Sequence, residues 1–122
     1  TSAFLTFVII HIIISIIRSD DYMKLYIDDI RTPKTIENDL NIARTFEQVK
    51  LAMYTKPNFI DMDFDMGFDE PNGLEILRWF KKQGFDAFIK HINIHSTHPY
   101  GRSQMKRYIE TNLKNITVTM NN

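Results

Sequence analysis

Short apolar runs alternate with amphipathic segments along most of the chain, from Met23 to the C-terminal end. Runs of this length predict β-strands, and the segments between them repeat apolar residues at helical spacing. Alternating strands and helices are typical of a parallel sheet covered by helices, so we predict a three-layer α/β sandwich with a mostly parallel five-stranded sheet. The predicted strands cover residues 24–28, 41–44, 58–63, 89–95 and 116–120, and the predicted helices cover 46–54, 73–83 and 102–113.

Local signals indicate where the helices begin and end. Thr45 and Gln48 form a capping-box pattern at the start of the first predicted helix. Gly84 lies where a C-terminal glycine would end the second predicted helix. Residues 29–41 contain Pro33 and few apolar residues, which predicts a loop with room for one helical turn. The first crossover helix is therefore expected to be short or absent.

The first 22 residues do not fit this alternation. Residues 3–17 read AFLTFVIIHIIISII, and charged residues follow abruptly. A membrane-spanning helix needs about 17 to 25 apolar residues, so this run is short for one, and no basic leader or cleavage site of a signal peptide is visible. We treat residues 1–22 as an extension of a domain that covers 23–122. Three interpretations stay open: a non-native extension or a piece of a longer chain, a membrane anchor, and an extra packed helix or strand.

Composition narrows the classes of function. The chain has 122 residues, enough for one domain with a real core. Its 15 basic and 15 acidic side chains cancel, so no global field attracts nucleic acid or an anionic membrane. The absence of cysteine excludes disulfides and thiolate metal sites and fits a reducing compartment. We expect a cytoplasmic protein, attached to a membrane only if residues 3–17 form an anchor.

Two acidic runs close two of the predicted strands. Asp28 and Asp29 follow the first strand, and Asp63 and Asp65 follow the third. Because right-handed crossovers bring the carboxyl ends of parallel strands to one edge, these carboxylates should converge. Crowded carboxylates repel unless a cation or a shared proton separates them, which favours a hard-metal site over acids that merely cap helices or face solvent. Asp61 lies deeper in its strand and is interpreted as a buried polar partner or a misplaced strand boundary.

His95 and Ser96 end the fourth predicted strand and should reach the same edge. An imidazole that titrates near neutral pH beside carboxylates suits a general acid or base, although a histidine at the core edge that bonds the backbone is an equal alternative. Ser96 could hydrogen-bond a phosphoryl oxygen. His98 is interpreted as a surface residue.

Several cations could bind a phosphate near these acids. Arg102 follows a Pro-Tyr-Gly turn and is predicted to start a helix, where free N–H groups, the helix dipole and a guanidinium fork suit an anion. An ordinary solvent-facing arginine is the competing interpretation. Arg31 and Arg44 are weaker candidates, and Lys106 and Arg107 are interpreted as part of a solvated face.

The segment from Met23 to Met120 resembles the receiver domain of two-component signalling, in particular its variant branch, the cyclic-phosphate processing receiver domain. The resemblance rests on four motifs in the family's order: YIDDIRTP at 26–33, RTFEQ at 44–48, PNFIDMDFDMG at 57–67 and IHSTHPYGR at 94–102. It implies a flavodoxin-like fold with the sheet order 2-1-3-4-5.

The resemblance also implies roles for individual residues. An acidic pair binds Mg²⁺ in ordinary receivers, which implies Asp28 and Asp29, and the aspartate that accepts phosphate corresponds to Asp63. A Ser or Thr after the fourth strand corresponds to Ser96. The lysine that normally ends the fifth strand is missing from the segment ITVTMNN. An acyl-phosphate on Asp63 would therefore lose a partner that stabilises it.

Three further residues match the variant branch rather than ordinary receivers. Asp65, His95 and Arg102 fit its D-x-D and H-S-x-x-P-x-G-R patterns. The branch is associated with predicted handling of cyclic phosphates at nucleotide or RNA ends. The resemblance thus implies a site that binds or cleaves a phosphate ester.

The leading hypothesis is a metal-dependent phosphoesterase site of the cyclic phosphodiesterase type. Mg²⁺ or Mn²⁺ would be held by Asp28, Asp29 and Asp63, with Asp65 as a further ligand or water-orienting base. His95 would protonate the leaving oxygen. The remaining phosphoryl oxygens would be held by Ser96 and Arg102, with Arg31 as an additional phosphate-binding residue. A small phosphorylated ligand or a nucleic-acid terminus is the expected partner, because no aromatic-plus-basic surface for an RNA body is evident.

Two other functions remain open from the sequence. The domain could be a signalling receiver that is phosphorylated on Asp63 and switches a partner surface. It could also be a non-catalytic relic that binds a nucleotide or a protein without turnover.

Overall fold

The sheet has the predicted order. The computed structural model describes residues 2–17, 23–35 and 40–121. Within these residues five strands form one sheet in the order β2-β1-β3-β4-β5, and every neighbouring pair is parallel. The strands are β1 (Lys24–Ile27), β2 (Leu40–Ala43), β3 (Phe59–Met62), β4 (His91–Ile94) and β5 (Thr117–Met120). The prediction of a parallel five-stranded sheet in the order 2-1-3-4-5 is confirmed.

Helices pack around the sheet and close a single core. They are α1 (Ser2–Ile17), α2 (Phe46–Ala52), α3 (Gly73–Gln83) and α4 (Pro99–Asn112), with short 3-10 turns at Met53–Thr55 and Phe85–Ala87. The central strands are almost entirely buried, as expected for a parallel sheet covered by helices. The largest fully buried side chains are Leu25, Ile27, Ile60, Met62, Ile76, Leu77, Phe80, Ile89, Ile92, Ile94, Met105 and Ile109.

The caps of α2 and α3 follow the sequence signals. The Thr45 side chain accepts the backbone N–H of Gln48, which is one half of the predicted capping box. The Gln48 side chain accepts the N–H of Arg44 instead of that of Thr45, so the reciprocal half of the box does not form. α3 covers the predicted residues 73–83 and ends at Gly84, whose φ of 78° is in the left-handed region that glycine adopts without strain.

The start of α4 differs from the prediction. The helix begins at Pro99 rather than at Arg102, and the His98 side chain caps it by accepting the N–H of Gly101. Proline is favoured in the first turn because its missing N–H would have no partner there. Gly101 is required because a Cβ would overlap the ring of Phe64. The sequence interpretation took the proline and the glycine as a turn, although both have a place inside this helix.

The crossover from β1 to β2 contains no helix within residues 28–35, and residues 36–39 lie outside the described part of the chain. Arg44 stabilises this segment from the end of β2. Its Nη1 donates to the backbone carbonyls of Asp28, at 3.1 Å, and of Arg31. The segment therefore has a fixed path beside the carboxyl end of β1.

The apolar N-terminal segment forms α1, which packs beside α2 and the 3-10 turn that follows it. Val8 is buried and Phe4 packs against the core, while Leu5, Ile9, Ile10 and Ile13 are exposed. None of the described helices combines the length and the hydropathy that crossing a membrane requires. The boundary of the extension, at residues 18–22, lies outside the described residues, so the division into 1–22 and 23–122 stays a prediction.

Candidate metal and phosphate site

The carboxyl ends of three neighbouring strands bring acidic groups and a histidine together. Asp28 follows β1, Asp63 follows β3 and His95 follows β4, and each offers one ligand atom within 4.8 Å of the other two. These residues lie at the edge where open α/β folds place their sites. Next to them is a cleft of about 530 Å³, here called the acidic cleft, which is lined by Asp28, Asp29, Ile30, Arg31, Asp63, Asp65, Ser96, Thr97, His98 and Pro99.

Asp28 forms the fixed point of the site. Its Oδ1 accepts the backbone N–H groups of Ile30 and Arg31, both at 2.9 Å, and its Oδ2 lies 2.9 Å from Nε2 of His95. Burial alone would raise the pKa of Asp28, but the two N–H groups and then His95 outweigh it and hold that pKa below its usual value. Asp28 is therefore an ionised and rigidly oriented carboxylate.

The ionised form of Asp63 is stabilised less than that of Asp28. Oδ1 of Asp63 accepts the backbone N–H of Phe64 at 2.7 Å, and the Ser96 hydroxyl also donates to this carboxylate. Burial and the charge of Asp28 nevertheless raise the pKa of Asp63. Ser96 is buried, and its Oγ accepts the N–H of His98 at 3.0 Å. In this arrangement Ser96 orients Asp63, so its hydroxyl is already engaged.

Asp29 and Asp65 complete the acidic cleft from two loops. Asp65 is exposed, and its Oδ1 accepts the N–H of Gly67 at 2.9 Å. A Cβ on Gly67 would lie 3.0 Å from Oδ2 of Asp29, and the φ of 96° at Gly67 also favours glycine. Burial, followed by the charges of Asp28, Asp65 and Asp63, raises the pKa of Asp29. Four carboxylates thus share a small volume in which they repel one another.

His95 lies between two carboxylates. Its Nδ1 is 2.5 Å from Oδ1 of Asp61, and its Nε2 is 2.9 Å from Oδ2 of Asp28. Because both carboxylates are acceptors, a ring that bonds both of them must donate from both nitrogens and is an imidazolium. Burial lowers the pKa of His95, but the hydrogen bonds and charges of Asp61 and Asp28 outweigh it and raise that pKa above 6.5.

The face of the His95 ring is covered by Tyr26. The two rings are stacked, with centroids 4.6 Å apart and planes 4° apart. Burial, then the charges of Asp28 and Asp61, raises the pKa of Tyr26 to about 12, so its phenol keeps its proton at neutral pH. With 4% of His95 exposed, the ring is held by hydrogen bonds at its edges and by stacking on its face.

The orientation of His95 bears on its predicted role as the general acid. The histidine does not line the acidic cleft but a second cleft of about 620 Å³, and Arg31 lines both clefts. Direct proton donation into the acidic cleft would require Nε2 to leave Asp28. The residues of this second cleft are Tyr26, Arg31, Thr32, Pro33, Lys34, Thr35, Asp61, His95 and Asn121.

The two predicted phosphate-binding arginines lie in different places. Arg31 lines both the acidic cleft and the second cleft, and its Nη1 donates to the backbone carbonyl of His95 at 2.9 Å. Arg102 lies in a third cleft that shares Pro99 with the acidic cleft. The predicted position of Arg102 at a free helix N-terminus is wrong, because its backbone N–H donates to the carbonyl of His98 at 2.9 Å inside α4.

A row of polar residues beneath the site was not recognised as a set from the sequence. Tyr26, Asp61 and Asn93 are paired across neighbouring strands, and each stands two residues before Asp28, Asp63 or His95. The Asn93 amide donates to Asp61 and to Asn121, both at 3.0 Å. Because side chains two residues apart in a strand share a face, this repeated spacing is the signal that could have revealed the row.

The donor set of the acidic cleft fits a hard divalent cation. Mg²⁺ and Mn²⁺ prefer carboxylate oxygens, and Asp28, Asp29 and Asp63 supply them from two strand ends. Burial, and after it the charges of neighbouring carboxylates, raises the pKa values of Asp29 and Asp63, so a cation here would favour their ionised forms. His95 is a poor ligand in this arrangement, because both of its nitrogens face carboxylates.

The fold and the site together define a receiver-type α/β domain: a parallel sheet of order 2-1-3-4-5 with an acidic cluster at the ends of β1 and β3. The model of the cyclic-phosphate processing receiver domain matches residues 23–111. The chain belongs to this family. No curated protein and no solved structure matches the chain.

Proposed function

We propose that this domain binds a divalent cation, Mg²⁺ or Mn²⁺, in the acidic cleft and uses it to bind and hydrolyse a cyclic phosphate ester on a nucleotide or an RNA end. The observation that carries the proposal is the convergence of Asp28 and Asp63 in a cleft with Asp29 and Asp65, where carboxylates repel one another. A cation removes that repulsion and leaves coordination positions for a phosphoryl oxygen and for water.

The carboxylates have different environments and hence different roles. Asp28 is held by two N–H groups and His95, and Asp63 is held by Phe64 and Ser96, so both present oriented oxygens to the cation. Asp29 supplies a third oxygen. When bound, the cation would polarise the phosphoryl group and lower the pKa of a water molecule. Asp65, exposed at the cleft, then accepts the proton of the attacking water.

Among the cations of the described residues, Arg31 is the best placed to bind the phosphoryl group. It lines the acidic cleft, whereas Arg102 lines a neighbouring one. A guanidinium offers several N–H donors in one plane, which suits two oxygens of a phosphate. Arg31 thus takes over the role that the sequence interpretation gave mainly to Arg102.

His95 acts as a positioning residue in this proposal. Its imidazolium fixes Asp28 and Asp61, and the ring does not line the acidic cleft. Hydrolysis forms a bond from the water oxygen to phosphorus and breaks the bond to one ribose oxygen, which takes a proton and leaves a phosphomonoester. Since the cleft is open to solvent, water can supply that proton.

The test is a panel of nucleoside 2′,3′-cyclic monophosphates incubated with the full chain and Mg²⁺ or Mn²⁺. We expect a monophosphate product that requires the metal, because no other group in the acidic cleft activates water so strongly. Asp63→Asn should reduce kcat/KM by at least about 100-fold, since it removes a charged ligand oxygen. Product formation is measured by chromatography and by release of phosphate after phosphatase treatment.

A second comparison in the same assay distinguishes two roles of His95, a positioning residue and a general acid. A positioning role predicts that His95→Gln weakens the apparent affinity for the metal, because Asp28 loses its partner. A general acid predicts that kcat falls while metal affinity is unchanged, with a lost limb in the pH profile. Lack of any metal-dependent turnover across the panel would refute the hydrolase and leave a binding role.

A phosphorylated receiver is the second candidate, because Asp63 and Ser96, which correspond to the phosphoacceptor and to the Ser or Thr of ordinary receivers, are in contact. No lysine ends β5, and Asn121, which follows this strand, accepts a hydrogen bond from the Asn93 amide. Incubation with acetyl phosphate and Mg²⁺, followed by intact-mass measurement, tests it. The receiver function predicts a stable gain of one phosphate that Asp63→Asn abolishes, and we expect no such gain.

A further inference from the structure

A third cleft adjoins the acidic cleft and carries mainly positive charge. It measures about 560 Å³ and is lined by Pro99, Arg102, Ser103, Lys106, Arg107, Glu110 and Met120. Three of these residues are cations and one is an acid. Among the described residues, Pro99 alone lines both this basic cleft and the acidic cleft. An anionic ligand could therefore extend from one cleft into the other around this proline.

The cations follow α4 away from the acidic cleft. Pro99 begins the helix, and Arg102 and Lys106 are four residues apart, which places them on one face with a rise of about 6 Å between them. Arg107 adjoins Lys106, and both are exposed. The positive charge is thus arranged as a short row that starts beside the acidic cleft, which suits a ligand with successive negative charges.

Two exposed aromatic side chains stand near the acidic cleft. Tyr100 is 65% exposed and directly follows Pro99. Phe68 is fully exposed and directly follows Gly67, which approaches the Asp29 carboxylate. Tyr100 lies between Pro99 and Arg102 in the chain, whereas Phe68 belongs to the loop of the acidic cleft. Exposed aromatic rings together with a row of cations are the features that bind single-stranded nucleic acid, because bases stack on the rings while cations contact phosphates.

We propose that the basic cleft binds the backbone phosphates of a single-stranded RNA whose terminal phosphate occupies the acidic cleft. The inference rests on the proposed function, which places a phosphate in the acidic cleft, and it selects an RNA end over a free nucleotide as the ligand. Arg102, Lys106 and Arg107 contact the phosphates that precede the terminal one. This departs from the expectation that no surface for an RNA body is present.

An acidic peptide would match the charge of the basic cleft but not its surroundings. The carboxylates of an acidic peptide would bind the cations without stacking on the aromatic rings. Such a peptide also has no phosphate that could bind the metal in the acidic cleft. An RNA strand supplies the terminal phosphate, the bases and the repeated charge in one molecule. The shared Pro99 and the exposed Phe68 and Tyr100 therefore favour RNA.

The test compares two product-like ligands that are not consumed: a ten-nucleotide RNA with a 3′-phosphate and the matching nucleoside 3′-monophosphate, each with Mg²⁺. The variant is Lys106→Gln with Arg107→Gln. We expect the RNA to bind the variant roughly 10-fold more weakly, and the slope of log affinity against log salt to fall by about 1.4, because two phosphate contacts are lost. Affinity for the mononucleotide should change less than about twofold.

A matched control carries the same loss of charge elsewhere. Lys82→Gln with Lys90→Gln changes two exposed lysines that line neither cleft, and it should leave the RNA affinity and the salt slope unchanged. Equal effects of both double variants, or equal losses for RNA and mononucleotide, would overturn the proposal. So would a ten-residue glutamate peptide that binds as tightly as the RNA.

Failure of the proposed function would look different. In that case the mononucleotide would not bind the wild-type chain with Mg²⁺, and Asp63→Asn would not change RNA affinity. RNA binding that still depended on Lys106 and Arg107 would then support the basic cleft as an RNA surface without a metal-bound end. Loss of RNA binding in Asp63→Asn together with loss in the basic-cleft variant would support both proposals.

Discussion

Asp63→Asn is expected to abolish the stabilisation of this domain by Mg²⁺ or Mn²⁺ and at the same time to stabilise the metal-free protein. A ligand at a hundredfold its Kd stabilises the folded state by about 2.7 kcal/mol, which corresponds to a rise in Tm of roughly 10 °C for a domain of this size. The variant removes one of the charged oxygens, so the same metal concentration should produce little or no shift.

The gain in the metal-free state follows from the burial of the Asp63 carboxylate and from its repulsion by Asp28. Burial and the charge of Asp28 raise the pKa of Asp63, so the folded state holds its anion less favourably than the unfolded chain does. A raised carboxyl pKa makes stability fall as pH rises from the unfolded value of 3.8 through the folded value. Asparagine has nearly the same shape and can still accept the N–H of Phe64, but it carries no charge.

The measurement is thermal unfolding of both chains at neutral pH, with EDTA and with increasing Mn²⁺. Asp69→Asn is the control, because Asp69 is an exposed acid in the same loop with a φ of 62°, which asparagine tolerates. It should respond to the metal as the wild type does. A metal-induced shift in Asp63→Asn equal to that of the wild type would contradict a cation site at Asp63.

His95→Ala is expected to cost about 3–5 kcal/mol of stability, since it leaves two carboxylates without their shared cation. The side chains of His95 and Asp28 are 5% and 1% exposed, so water screens this loss poorly. Removal of the ring also exposes the face of Tyr26 that stacks on it. Asp61→Asn is a milder variant that removes one of the two carboxylates and keeps the histidine.

The pH dependence has a defined sign. Because Asp61 and Asp28 raise the pKa of His95 above 6.5, the folded state binds the proton more tightly than the unfolded chain. This contributes stability that is complete below about pH 6.5 and is lost as the pH rises through the raised value. The wild type should lose stability over that range, and His95→Ala should lose less.

Two measurements check this expectation. Urea unfolding across the pH range gives the stability, and NMR titration of the imidazole gives the pKa of His95, which Asp61→Asn should lower toward 6.5. His91→Gln is the control, because His91 begins β4, the strand that His95 follows, but its ring bonds Thr119 through a 2.7 Å hydrogen bond. A His95 pKa at or below 6.5 in the wild type would contradict the ion pairs.

The fold was largely predictable from the sequence because its signals are local. Short, mainly apolar runs of four to seven residues marked the strands, and caps at Thr45 and Gly84 marked helix ends. The start of α4 was not predictable from local signals alone. Pro99 and Gly101 fit either a turn or a first helical turn, and the choice depends on the close approach of Phe64 to Gly101.

The sequence predicted which residues form the candidate site, but it did not predict which of their atoms are in contact. Parallel topology implied that Asp28, Asp63 and His95 would share one edge, and they do. Topology does not say which atoms bond. His95 turns both nitrogens to Asp61 and Asp28 instead of into the acidic cleft, because burial makes an unpaired imidazolium costly.

Sequence by itself determined the order of elements, the family and the residues that meet at the carboxyl edge of the sheet. These depend on periodicity and chain direction, which are properties of neighbouring residues. Only the tertiary structure decided that Tyr26 and Asp61 enclose His95, that Ser96 holds Asp63 and that Arg102 belongs to the basic cleft. Such choices depend on distances of a few ångströms between residues far apart in the chain, and no local pattern records them.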